Sequence, residues 1–168
     1  MEQSRGLIFV NMKIKLLAVG KTHRSDLSEW IDDYAKRIGR YLPFEWVVLK
    51  DVKKNSKSKT EFVKNQEGSL ILNAVSSDDV LILLDERGKS YTSVDFAKFI
   101  EQKTLQSTKN LVFCIGGAYG FSDEVRARAN GIISFSNMTF SHQMIRVFAV
   151  EQIYRAMTII KNEPYHHE

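Results

Sequence analysis

A chain of 168 residues, 43% hydrophobic and 26% charged, can bury one core without metal or disulfide staples, and is read most simply as one domain. No apolar run approaches the roughly 18 residues of a membrane helix, which excludes a transmembrane protein. The lone cysteine, Cys114, rules out an intrachain disulfide and favours a reducing setting, while a net charge of +4 permits a nucleic-acid partner without requiring one.

Residues 1–11 carry one arginine and a short apolar patch, too little for a signal peptide. They are expected to be a poorly ordered extension ahead of a single domain over residues 12–168. Residues 14–20 read as a first strand closed by Gly20, with Lys21, His23 and Arg24 at its carboxyl end. Ser25 or Asp26 is expected to cap a helix whose apolar positions are Leu27, Trp30, Ile31, Tyr34, Ala35, Ile38 and Leu42, with Pro43 ending it. Residues 44–49 form a second strand. The lysine-rich residues 50–59 have only Val52 as an anchor, and read either as a solvated loop or as one that touches phosphate.

Thr60 and Glu61 open a second helix with Phe62, Val63, Leu70, Ile71, Leu72 and Ala74 inward. Residues 80–84 are a third, wholly aliphatic strand, expected to stop before the charged run Asp85-Glu86-Arg87-Gly88-Lys89-Ser90. The Gly-Lys-Ser in that run is not a phosphate-binding P-loop, because position 83 is leucine where the motif needs glycine and no helix follows directly. Ser93 is expected to cap a third helix bearing Val94, Phe96, Ala97, Phe99, Ile100 and Leu105.

Residues 111–115 are apolar without interruption, as a strand buried on both faces requires. Cys114 lies within it, which favours a packed thiol over a nucleophile. The strand stops at Gly116 and Gly117, and these with Gly120 are expected to adopt positive φ and admit a ligand at the carboxyl end of the sheet. Their spacing is not the dinucleotide fingerprint. Ser122 starts a short helix to Ala129, and residues 131–135 are a fifth strand. Residues 142–161 form the longest helical pattern, apolar over more than one stripe, so a second copy of the chain is expected to cover the spare face. Strands alternating with helices give an α/β domain with a mainly parallel sheet flanked by helices. His23, His142, His166, His167 and Cys114 lack metal-ligand spacing, so no metal site is expected.

Several stretches then carry a resemblance. Ile115-Gly116-Gly117-Ala118-Tyr119-Gly120, Phe135-Ser136-Asn137-Met138-Thr139-Phe140-Ser141-His142, Arg146, Glu151-Gln152-Ile153-Tyr154-Arg155-Ala156 and the closing Tyr165-His166 stand in order and at matching spacing. With Lys15-Leu16-Leu17-Ala18-Val19-Gly20-Lys21 and Leu84-Asp85-Glu86-Arg87-Gly88-Lys89, they resemble the ribosomal RNA large subunit methyltransferase H family of the SPOUT superfamily over nearly all of residues 12–168. Ala118 and Ser141 replace prolines of some members, which alters loop stiffness and removes no reacting group.

The resemblance implies a cytoplasmic homodimer that methylates N3 of a pseudouridine in 23S rRNA, position 1915 in the usual numbering, with S-adenosylmethionine as donor. It also implies a carboxyl-terminal trefoil knot, which sequence reasoning alone discards as too rare. The cofactor positions it implies are Leu84, Gly116, Phe135, Ser136, Asn137, Met138, Thr139 and Phe140, with Gly117 added because it adjoins the bend. Phe135 and Phe140 are either pocket walls or plain core. Methyl transfer needs no metal, only alignment and removal of the imide proton. His166 is the candidate proton shuttle, Tyr165 would stack on or orient the base, and Arg155 would stabilise charge on its carbonyls. His142 is the alternative histidine, as a cap, a packed side chain or a base. A non-catalytic ribosome-binding or assembly factor with this fold is the rival reading.

Overall fold

The computed structural model describes residues 11–55 and 57–167. The expected disordered extension therefore falls, except for the exposed Asn11, outside the described residues. The elements are β1 (Lys13–Val19), α1 (Ser25–Ile38), β2 (Phe44–Leu49), α2 (Thr60–Asn73), β3 (Val80–Ser90), α3 (Ser93–Leu105), β4 (Asn110–Ile115), α4 (Asp123–Arg128), β5 (Gly131–Ser134) and α5 (Met144–Ile160). The five strands make one sheet in the order β2-β1-β4-β3-β5, parallel at every pairing.

Parallel strands need crossovers that lay helices on the sheet, so both faces are covered. Because side chains alternate along a strand, Ile14, Leu16, Ala18, Ile82, Leu84, Leu111, Phe113 and Ile115 enter one core with α1, α3 and α5. Leu17, Val19, Leu81, Leu83, Val112 and Cys114 enter the other with α2 and α4. The continuous apolar runs of the central strands thus serve two cores at once. Cys114 is wholly buried and burial pushes its thiol up, which fits packing and not nucleophilic attack.

Several expected boundaries move. The first helix stops at Ile38, with the Gly39 N–H donating to the Ala35 carbonyl, and Leu42 is buried in the following turn instead of the helix. Neither Ser25 nor Asp26 caps it; Arg24 occupies that position and Asp26 binds the Arg24 guanidinium. Thr92, not Ser93, caps α3, its hydroxyl oxygen accepting the Asp95 N–H at 3.0 Å. Trp30, Phe62 and Leu105 were apolar by type yet lie 57%, 52% and 69% exposed, because each sits at the margin of its helix stripe.

The largest departure is β3, which does not stop at Leu84. It continues to Ser90 beside β5 after a register shift between Leu84 and Lys89. An irregularity of this kind absorbs the charged residues 85–88, and Gly88 permits it: a Cβ there would stand 2.7 Å from the Ile132 backbone. The Gly-Lys-Ser sequence is accordingly part of a strand and cradles nothing. In its turn α5 begins at Met144, two residues later than expected, and packs against α1 and α3 in the same layer. Much of its wide apolar circumference is therefore covered by its own chain, while Met144 and Phe148 remain 40% and 41% exposed. Removing the α3 cap by Thr92→Ala should lower stability by about 1 kcal/mol, read from urea unfolding.

Candidate active site

The irregular middle of β3 at residues 84–87 and the carboxyl ends of β4 and β5 face a cleft of about 550 Å³. That lies within the roughly 300–1,000 Å³ of small-molecule sites, and sheet carboxyl ends are where α/β folds bind ligands. Leu84 and Ile115 form its floor, the turn 116–120 one wall, and the segment after β5 the other. Of the nine expected cofactor positions, Leu84, Gly116, Gly117, Phe135, Ser136, Met138, Thr139 and Phe140 line it, and Asn137 does not. Both readings of the phenylalanines hold in part: Phe135 meets Phe96 edge-on at 5.5 Å and Phe140 meets Phe148 at 5.0 Å, while each also faces the cleft.

The turn is tighter than the glycines alone suggested. Only Gly120 among the three has positive φ, +75°, and its N–H donates to the Gly117 carbonyl at 3.1 Å. Space at Gly117 is taken by α2: a Cβ there would meet the Glu67 carboxylate, which would have to move. Glu67 is 3% exposed, and its Oε2 has no hydrogen-bond partner among the described residues. Burial raises its carboxyl above the ordinary range, against the pull of Lys54, whose Nζ is 3.7 Å from Oε1. The same Lys54 ammonium lies 5.3 Å from the Tyr119 ring centroid, so the lysine-rich loop after β2 touches the glycine turn.

The opposite wall is held by short polar bonds. The Ser134 hydroxyl donates to the Ser136 carbonyl at 2.8 Å, the Met138 N–H to Ser136 Oγ at 2.9 Å, and Thr139 Oγ1 to Glu86 Oε2 at 2.7 Å. Ser141 Oγ accepts the Met144 N–H, so Ser141 and not His142 serves the start of α5. His142 is exposed on the rim; desolvation, with Arg146, His23 and Lys54, lowers its pKa and favours the neutral ring.

Arg146, on the first turn of α5, is 0% exposed. Its Nη1 donates to the Gly20 carbonyl at 2.7 Å and to Thr22 Oγ1 at 3.1 Å, Nη2 to the Val19 carbonyl at 2.7 Å, and Nε to the His142 carbonyl at 3.0 Å. Gln143 adds a second stitch, accepting the His23 N–H and donating to the Lys21 carbonyl. In the irregular stretch of β3, burial acts to raise the Asp85 carboxyl, but the Arg87 backbone N–H and the Arg126 guanidinium outweigh it and hold it below its ordinary value.

The expected catalytic residues come together, but elsewhere. Arg155 Nη1 is 3.3 Å from His166 Nδ1, its guanidinium is 4.7 Å from the Tyr165 ring centroid, and Tyr165 Oη is 3.2 Å from Tyr34 Oη. None of the three lines the cleft. Arg155 follows the cleft residue Ile145 by ten positions on one helix, about 15 Å at 1.5 Å per residue. The sequence does not single out Glu67, and Glu151 enters only as part of a motif, with no role of its own. Glu67 could have been found as the acidic member of a buried Val63, Glu67, Ile71 stripe, and Glu151 as the residue one turn before Arg155.

Among the described residues no group of three or more His, Cys, Asp or Glu is placed to hold a metal, and no helix is long and apolar enough to cross a membrane. The sequence profile of the predicted SPOUT methyltransferase family matches residues 12–166. Ribosomal RNA large subunit methyltransferase H of Flavobacterium psychrophilum is 49% identical over 157 residues, covering 94% of this chain and 100% of that protein. The proteins of the same name from Parabacteroides distasonis and Cytophaga hutchinsonii are 50% and 49% identical, over 94% and 93% of this chain and 100% of each relative.

Two outcomes follow from the geometry. Arg146→Leu removes the guanidinium donor from the buried Val19 and Gly20 carbonyls and from the His142 carbonyl, and should cost about 2–4 kcal/mol of stability, measured by denaturant titration. Glu67→Gln tests the buried carboxyl. The folded state keeps a proton that the unfolded chain releases at ordinary carboxyl pH, so wild-type stability falls as pH climbs from there towards the raised folded value. Glutamine does not titrate, so the variant should gain on the wild type between acid and neutral pH; parallel pH profiles would contradict this.

Proposed function

The chain belongs to the ribosomal RNA large subunit methyltransferase H family of SPOUT methyltransferases, and on that premise we propose that it methylates N3 of pseudouridine 1915 of 23S rRNA with S-adenosylmethionine as donor. The observation that carries the cofactor part is the cleft, where seven of the eight positions implied by the family, together with Gly117, converge from β3, β4 and the segment after β5. Backbone groups of the glycine turn and of residues 135–140 suit the adenine and amino-acid ends of the donor, with Leu84 and Phe135 as apolar walls. The donor supplies an electrophilic methyl on sulfur. The protein's part is to align the acceptor, exclude water and stabilise the charge that appears as N3 loses its proton.

The catalytic part needs a second copy. Arg155, Tyr165 and His166 stand apart from the cleft of their own chain, and exposed Trp30, Met138, Phe140, Met144 and Phe148 offer apolar surface for a twofold partner. We place the tail of one copy at the cleft of the other, in a cytoplasmic homodimer acting on the large ribosomal subunit. The family's trefoil knot is part of the same reading.

Mixed dimers test it. Gly116→Val should weaken donor binding, because a side chain there meets the Phe121 ring at 3.3 Å and displaces the cleft wall. His166→Ala should spare donor binding and lose turnover. Each variant alone should be nearly inactive, yet a random equimolar mixture should recover about a quarter of wild-type activity if tails act across the dimer. No recovery would place the tail in its own subunit's site. For the substrate, mass spectrometry of rRNA from a deletion strain should show one methyl missing; an intact modification, or no heat on calorimetric titration with S-adenosylmethionine, would overturn the enzyme reading.

A further inference from the structure

An arginine guanidinium has N–H donors and no acceptor. The 3.3 Å contact between Arg155 Nη1 and His166 Nδ1 therefore has one polarity, with Nδ1 accepting. A neutral imidazole carries one proton, so in this arrangement it sits on Nε2. What aims Arg155 is Glu151, one turn earlier: its Oε1 accepts from Nη2 at 2.6 Å, from Nε at 3.1 Å and from the Tyr165 hydroxyl at 3.1 Å, while Oε2 accepts from Gln152 at 2.9 Å. With two faces of the guanidinium occupied, the remaining Nη1 is left for His166.

We propose that Glu151 is a positioning residue that acts through Arg155 to fix His166 as a hydrogen-bond donor at Nε2, so that the histidine does not accept the substrate's imide proton. The inference rests on the methyl transfer proposed above. The N3 proton leaves first, to water, and the negative charge then shared by N3 and the adjacent carbonyls is met by the His166 Nε2–H. The N3–CH3 bond then forms as the S–CH3 bond breaks, sulfur takes the bonding pair and becomes a neutral thioether, and the methylated base is neutral. The charged and titratable groups gathered on this face are Tyr154, Glu151 and Arg155 of α5, Tyr34 and Arg37 of α1, Tyr41 after it, and Glu163 and Tyr165 of the tail. Burial, then Tyr34 and Glu151, raise the Tyr165 hydroxyl, which stays a neutral donor to Glu151 at neutral pH.

The test begins with nitrogen NMR of the full-length wild-type protein, the His166 ring assigned by its loss in His166→Asn. Protonated Nε2 with bare Nδ1 is expected, and Glu151→Gln should mix the two tautomers. With a pseudouridine-containing rRNA substrate, the wild-type single-turnover rate should keep rising about tenfold per pH unit past the range where imidazoles titrate, because the ionised imide reacts. Glu151→Gln should lower kcat by about tenfold or more while calorimetric affinity for S-adenosylmethionine holds. A wild-type Nδ1–H tautomer, or a rate that levels off above the imidazole range, overturns the inference. Absence of donor binding and of methylation in the wild type overturns the functional reading instead, and leaves the tautomer result to stand on its own.

Discussion

The buried guanidinium of Arg146 joins the beginning of this chain to its end. It donates to the last two residues around the carboxyl end of β1, Val19 and Gly20, and to the His142 carbonyl just before α5. Taking a permanent charge out of water is costly, and here it is offset by hydrogen bonds to the Val19, Gly20 and His142 carbonyls and to the Thr22 hydroxyl. Burial lowers the Arg146 pKa, opposed only by Asp51. Because the segment between β5 and α5 has no regular structure, fixing its far end to the central sheet is what gives that cleft wall a definite position. Gln143, binding the backbone of Lys21 and His23, repeats the device one turn away.

The opposite wall uses a different economy. The turn 116–120 is placed by β4, whose five apolar residues are buried on both faces, and is then backed by the Glu67 carboxylate. A side chain at Gly117 would displace the buried Glu67 carboxylate, so the glycine suits the packing of α2 and answers no demand of the turn's dihedral angles. Lys54 links this buried acid to Tyr119 and brings the basic loop to the cleft mouth. Cleft wall and basic loop are thereby coupled through one desolvated group, an arrangement in keeping with the proposed meeting of a small cofactor and a polyanion.

A single chain keeps the cleft apart from the cluster proposed for chemistry. The cleft lies at the amino-terminal end of α5 and the Arg155, Tyr165, His166 cluster lies near its other end. A rigid helix cannot bring them together, so the proposed dimer is a geometric requirement of the enzymatic reading and not an addition to it. The cluster is held by Glu151 in one definite hydrogen-bond polarity, which makes the role of the histidine a question about its tautomer before it is one about its acidity.

What the amino-acid order determined alone was whatever depends on near neighbours in the chain. Strand and helix identity follow from local periodicity, so β2 over 44–49 and the doubly buried β4 were legible, as was the cleft at the end of β4 from its glycines. The resemblance supplied the positions around Leu84 and Phe135 because their spacing is a one-dimensional pattern. Properties set by partners distant in sequence belonged to the tertiary structure. The extension of β3 to Ser90 exists because β5 lies beside it, and Trp30 is exposed although its neighbour Ile31 is wholly buried. Arg146 became a structural tie only when residues 19–22 were brought to it, and His166 lost its free Nδ1 only when the tail folded back onto Arg155. A side chain's chemistry is fixed by its type, but which of its atoms remain available is decided by what packs against it.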